Sequence, residues 1–296
     1  MKQAAMIGAV LAVATWSFAQ SNSKPTTQSQ PPAQATSPAA GATSSKRPPQ
    51  AKTQPEYEAY KTAIALTDAA AAEKAADDFA TKFPDSELRI MLYKSTMRLY
   101  QRAGNSDKIV EMGRKGLALD TDDPELLVTV ASELAEKTHD TDLDKDQRLD
   151  EARKSAERAL QTIDTDIVFP AGTPPDKADA YKNLLRSSIY SILGTLEFNK
   201  NNFMAAETDF RKSIDAYPQQ PDPVTVLRLS LALDRQNKYP EALNYANKAV
   251  ELTPDGSGAH TLAIRERDRL VQLTGGKPPA PSTGTANPPQ STTVPH

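Results

Sequence analysis

Two pairs of residues recur at one interval along this chain. Ala206 and Ala242 stand 36 residues apart, and so do Pro218 and Pro254. A period of that size is the mark of stacked supersecondary units, not of a single globular core. Within each period apolar positions fall three and four apart and the prolines lie between segments, which predicts two helices per unit. A small residue in each helix, Gly194 with Ala206 and Ser230 with Ala242, lets two backbones cross closely, while Tyr190, Leu193 and Phe210 fill the space beside them. The proline after the second helix stops it and sets the angle of the next. One such pair cannot bury its apolar face alone, so stacking is obligatory.

The marks resemble those of the tetratricopeptide repeat. In residues 187–220, Tyr190, Leu193 and Gly194 fall where that family's first helix carries an aromatic, Leu and Gly. Ala206 and Phe210 match its A-x3-F, and Pro218 matches its closing proline. Glu197 departs from the pattern by standing where a tyrosine is usual, with Phe198 beside it. Residues 223–256 repeat the marks through Val226, Leu229, Ser230, Leu233, Tyr239, Ala242, Ala246 and Pro254. Residues 90–123 are a weaker copy, with Tyr93, Tyr100, Gly104-Asn105, Ile109 and Gly113, but Met97 for the small residue and Thr121 for the proline. Residues 53–86 keep Ala72, Ala76, Phe79, Phe83 and Pro84, and their FATKFPDS stretch resembles repeats of periplasmic assembly and cell-envelope proteins. In residues 124–164, Ala152, Ala156 and Ala159 mark a second helix set off by an inserted loop, and residues 177–199 read as one extended helix.

The resemblance implies an all-α fold: an α-solenoid of about five tetratricopeptide units near 53–86, 90–123, 124–164, 187–220 and 223–256. A capping helix over 257–273 completes it, its arginines keeping the outer face polar.

The flanks differ in kind. Met1-Lys2, an apolar run from Ala4 to Thr15 and the small-x-small Ser17-Phe18-Ala19 predict a secretory signal peptide over 1–19, too short to span a bilayer. Residues 20–54 contain no Val, Ile, Leu, Met or aromatic residue, and residues 276–296 contain six prolines in 21 positions. Neither stretch buries enough apolar surface to offset its ordering entropy, so both are expected to be disordered tails around a repeat domain of 55–275. The chain is thus expected to be exported, to the periplasm or beyond, with no integral membrane segment after signal cleavage.

Composition excludes most chemistry. There is no cysteine and there are three histidines, His139, His260 and His296, so thiolate metal sites, cysteine nucleophiles and histidine-based triads have no material. Residues 55–275 carry 29 positive against 38 negative side chains, while the flanks hold six positive and no acidic ones. An acidic centre does not recruit nucleic acid. Two constellations remain. Asp140, Asp142, Asp144 and Asp146 with Glu151 have the spacing of a calcium loop, but Lys145 replaces the glycine that its turn needs. The alternative is a surface loop whose acids cap the following helix. Lys94, Arg98 and Arg102 form a basic stripe at intervals of four. In tetratricopeptide arrays the first helices line the concave surface, so the resemblance implies that these three face a bound acidic peptide or carboxylate; the alternative is a solvated face. The lysine-asparagine pattern that clamps C-terminal carboxylates in some relatives is absent, its places being held by Ser191 and Thr195 in one unit and Leu227 and Leu231 in the next.

No nucleophile, base or metal set converges in the sequence, and a non-enzyme without cofactor is expected. The resemblance implies a scaffold that holds a protein or peptide partner on its concave face. The competing reading is a structural envelope spacer acting through its tails, and behind it a non-catalytic subunit of an enzyme complex.

Overall fold

The computed structural model describes residues 46–275, and among them it contains eleven α-helices and no strand. The expected signal peptide over 1–19, residues 20–45 of the expected linker and the tail over 276–296 lie outside the described residues. The helices are α1 (Gln54–Ile64), α2 (Ala69–Lys82), α3 (Arg89–Ala103), α4 (Ser106–Leu117), α5 (Pro124–Lys137), α6 (Lys145–Thr162), α7 (Pro175–Asn199), α8 (Phe203–Ala216), α9 (Pro223–Asp234), α10 (Tyr239–Leu252) and α11 (Gly258–Leu273). They pair as α1/α2, α3/α4, α5/α6, α7/α8 and α9/α10, with α11 as the cap. No helix among the described residues is long and apolar enough to cross a membrane.

Local chemistry sets the ends. Side chains of Thr53, Asp68, Asn105, Asp123, Asp222 and Ser257 accept the orphan N–H groups that open α1, α2, α4, α5, α9 and α11. Proline stands in the first turn of α1, α5, α7, α9 and α10, where its missing N–H costs nothing. The turn inside a unit is the same in three units. Gly104, Asn201 and Asn237 all adopt left-handed backbone, with φ of 68°, 61° and 61°. In each turn that residue donates to the carbonyl three before it, and its successor donates to the carbonyl five before it: Asn105 to Tyr100, Asn202 to Glu197 and Lys238 to Leu233. Only glycine and asparagine enter this region cheaply. Asn201→Ala and Asn237→Ala are each expected to cost about 1 kcal/mol in urea unfolding, and the glycine variants to cost nothing.

Packing follows the consecutive order. Each second helix lies against its own first helix and the next one, as α4 does on α3 and α5 and α8 does on α7 and α9. Helix α5 shows how one helix serves two neighbours. Leu126 joins Tyr93, Met97, Ile109 and Met112, while Leu127 and Leu134 join Ala152, Ala156, Ile163 and Ile189. The close crossing in the best unit is tightest at Phe210, which the expectation placed beside Gly194 and Ala206. A Cβ on Gly194 would stand 2.6 Å from Cδ1 of Phe210, so glycine is there to admit the ring. Ser230 meets Ala242 as expected, through a 2.8 Å hydrogen bond to the Ala242 carbonyl. Glu197, in the tyrosine position, instead receives Arg153 of α6 at 2.5 Å and Asn202 at 2.8 Å. The ion pair thus ties this unit to the one before it.

Helix α7 is longer than its unit. Its first turns hold the connector from α6, with Phe169 edge-on to Tyr181 at 6.0 Å and Arg186 paired to Asp164 at 2.5 Å. The described end of the expected linker is not free chain either. Arg47 forks onto Glu87 at 2.8 and 2.5 Å, and the Lys52 amide donates to Glu56 at 2.7 Å. A reading from apolar content misses this attachment, because charge and main-chain hydrogen bonds make it.

Candidate functional site

The first helices crowd together. Helix α1 lies against α3, α5 against α7, α7 against α9 and α9 against α11, whereas the second helices pack on first helices. The first-helix side is therefore the inner face of the array; α3 and α5 do not pack in this way, and the basic stripe of α3 reaches α5 through ion pairs.

Within that stripe the three residues have different fates. Lys94 reaches across to the start of α5, where its Nζ lies 2.8 Å from Asp123 Oδ2 and 2.5 Å from Glu125 Oε2. Its side chain is only 13% exposed, against 11% and 23% for the two acids. It is a structural cation, not a face presented to a ligand. Tyr181 of α7 donates to the other oxygen of Glu125, so three consecutive first helices meet at one carboxylate. Burial pushes the Glu125 carboxyl up, but the Lys94 ammonium and the hydrogen bonds of Lys94 and Tyr181 bring it below the usual carboxylate range. Burial opposes the Lys94 charge, and the two acids more than offset it, so its pKa is raised. Burial and the adjacent Glu125 charge keep Tyr181 protonated far into the alkaline range.

Arg98 and Arg102 remain available. The Arg98 side chain is 49% exposed and only brushes Glu125, at 3.6 Å. Arg102, one turn on, is exposed, with no carboxylate within ion-pair distance among the described residues. Lysine's strongly hydrated ammonium is enclosed, while the forked guanidinium groups suited to a carboxylate stay at the surface. Asp123, Glu125 and Tyr181 escape a reading by helix periodicity, because the lysine and its partners lie on different helices. The one local signal for them is Asp-Pro-Glu at the start of α5.

Further along the inner face the polar groups are engaged with one another. Ser191 and Thr225 hydroxyls lie 2.7 Å apart, Arg228 reaches Thr195 at 3.0 Å and Glu136 at 3.7 Å, and Leu227 is buried. These are the places that a carboxylate clamp would occupy, and they are spent on holding α5, α7 and α9 together. Glu133 of α5 has an oxygen buried without a hydrogen-bond partner, and burial raises its pKa.

The calcium-loop acids are not brought together. Asp140 pairs with Lys145 at 2.7 Å, and Asp142 accepts the His139 amide at 2.8 Å. Glu151 turns away to receive Arg114 at 2.8 and 2.5 Å, while Asp144 and Asp146 sit at the start of α6. No group of three or more metal-ligating side chains converges among the described residues. The loop is an insertion whose charges are spent on its own lysine and on the preceding unit. Of the histidines described, His139 lies exposed in this loop, and His260 is held between Thr253 at 3.0 Å and Asp255 at 3.3 Å.

Paired helices in consecutive stacking, the shared glycine-or-asparagine turn and the inner face of first helices define the class: the fold is that of a tetratricopeptide-repeat protein. No protein-family model matches the chain, and no curated protein does. Among solved structures it is similar to PilF of Pseudomonas aeruginosa, the subject of a functional characterization, at 17% identity over 75% of this chain and 87% of that one, with a TM-score of 0.50. A crystal structure of the MamA protein aligns at 17% identity over 66% of this chain and 92% of that one, with a TM-score of 0.47. At that identity the likeness to PilF concerns the fold alone.

Proposed function

We propose that the chain is a non-catalytic scaffold whose inner, first-helix face holds an acidic segment of a partner protein, and that it works after export, in the periplasm or cell envelope. One observation carries the reading. On a face where Lys94, Arg228, Ser191 and Thr195 are committed to holding helices together, Arg98 and Arg102 stand exposed one turn apart. Two guanidinium groups at that spacing suit a pair of carboxylates on an extended or helical peptide. The export part rests on the Lys2, apolar-run and Ser17-Phe18-Ala19 pattern of residues 1–19.

The test is cross-linked co-purification of the mature chain from its native envelope, beside an Arg98→Glu, Arg102→Glu double variant. Lys94 is left alone because it holds the fold. A partner whose recovery falls about tenfold or more in the variant is the expected result, that being the effect of roughly 1.4 kcal/mol. Equal recovery from both proteins would remove the acidic-segment reading.

A further inference from the structure

Acids gather along the connections between units, beside the Lys94 cluster of the first-helix face. Each connection from a second helix to the next first helix leaves the array at the same end. Three of them carry Asp85 and Glu87, Asp120, and Asp166. Across these connections lies the stretch Lys46-Arg47-Pro48-Pro49-Gln50-Ala51-Lys52. Lys46 pairs with Asp120 and lies 3.6 Å from Asp166, so one ammonium touches two connections. Arg47 forks onto Glu87 of the first connection, and the Gln50 amide donates to the same carboxylate at 3.2 Å. The Lys52 ammonium donates to the Asp85 carbonyl at 2.7 Å.

The manner of attachment matters more than the acidity. On the connections one main-chain group is bound as well as the charges, the Gln50 N–H on Glu87, and Pro48-Pro49 favours an extended backbone with no N–H to leave unpaired. The stretch contributes no large apolar side chain. Between it and the connections lies an open cavity of about 420 Å³ lined by Lys46, Arg47, Pro49, Glu87, Leu119 and Asp120. Apart from the Lys52 amide on the buried Glu56, which anchors its end beside α1, the segment is fastened by contacts that water, salt or a competing chain can replace.

We propose that this connection edge is a binding surface for a basic, proline-containing extended segment, that residues 46–52 occupy it in cis as a detachable strap, and that a partner's segment of like chemistry displaces them. The strap competes at the effective concentration of a short tether, in the millimolar range. Only a segment offering more cations or a longer reach wins. The edge adjoins the Lys94 cluster through Asp123, whose charge acts on both Lys46 and Lys94, but it includes neither Arg98 nor Arg102, so the two proposals are tested by different variants.

The experiment uses a fluorescent nonapeptide, Ser-Ser-Lys-Arg-Pro-Pro-Gln-Ala-Lys, titrated into the mature full chain and into a Lys46→Ala, Arg47→Ala, Lys52→Ala variant that vacates the edge. Binding to the vacated variant at least about tenfold tighter than to the parent is expected. It should be abolished by adding Glu87→Lys and Asp120→Lys, and weakened as salt rises. Equal binding to both proteins, or none to a folded vacated variant, would overturn the proposal. If circular dichroism shows that variant unfolded, trypsin cleavage after Lys46 in the parent chain decides. Protection relative to the free peptide at low ionic strength, lost at high salt, supports the strap, and cleavage as fast as in the peptide overturns it.

Discussion

Lys94→Met is expected to lower the stability of the array by about 3 kcal/mol, read as a fall in the urea midpoint, because it leaves the largely enclosed Asp123 and Glu125 without the ammonium between them. Arg98→Met, one turn away on the same stripe and half-exposed, is expected to cost less than about 0.5 kcal/mol. A Lys94→Met, Glu125→Leu pair should recover only part of the loss, since it removes the ammonium and one of its two carboxylates, while Asp123 stays charged as the cap of α5 and the Tyr181 hydroxyl loses its acceptor. The effect carries a pH signature. Glu125 is held below its ordinary range, so its contribution is present above the unfolded carboxylate pKa of about 4.3 and is lost as pH falls through its folded value. Lys94 is raised, so its contribution is present below about 10.4 and is lost only as pH rises through its folded value. The gap between parent and Lys94→Met should therefore be constant across neutral pH and narrow below about pH 4. A gap that persists unchanged into acid would show that packing of the lysine stem, and not its charge, is what matters.

Gly194→Ala is expected to destabilise by about 2 kcal/mol, against the rule that alanine improves a helix. Helix propensity favours the change by roughly 1 kcal/mol. Overpacking opposes it, because the new Cβ would lie 2.6 and 2.7 Å from two carbons of the Phe210 ring, which is fully buried and closed in by α9 and α10. Overpacking wins since the obstacle is a ring with no room to yield, unlike the end of a flexible chain. The ring is also the diagnostic. In a Phe210→Leu background the same Gly194→Ala change should become neutral or favourable, a coupling of at least about 1 kcal/mol between two sites in contact. Simple additivity of the two changes would mean that the ring and the glycine do not share the space. A similar fit recurs where Gly113 of α4 faces Val130 of α5, with 2.3 Å left for a Cβ. Close crossing by glycine thus serves both within a unit and between units.

Much of the architecture is legible without coordinates. Helix ends follow from groups adjacent in sequence, such as Asp123 before Pro124 or Ser257 before α11, and the 36-residue interval follows from the need of each helix pair for a neighbour. Even the length of α7 is visible, as an uninterrupted helical pattern through residue 199. The weak copies are legible for the same reason, since small and aromatic positions persist where the closing proline does not. What sequence reading misses is which charges are free. Lys94, Arg98 and Arg102 are alike by spacing and type. They are separated only by partners 29 or more residues away, which bury the first and leave the last exposed. The acids of 140–151 likewise share a metal-loop spacing, yet Glu151 spends itself on Arg114, 37 residues earlier. Residues 46–52, unremarkable by apolar content, are held by acids from three connections. Local propensity and periodicity act over one or two helical turns, so the sequence by itself determined the helices, their caps and the repeat. Which cation is neutralised depends on what lies across the stack, and only the tertiary structure decided that.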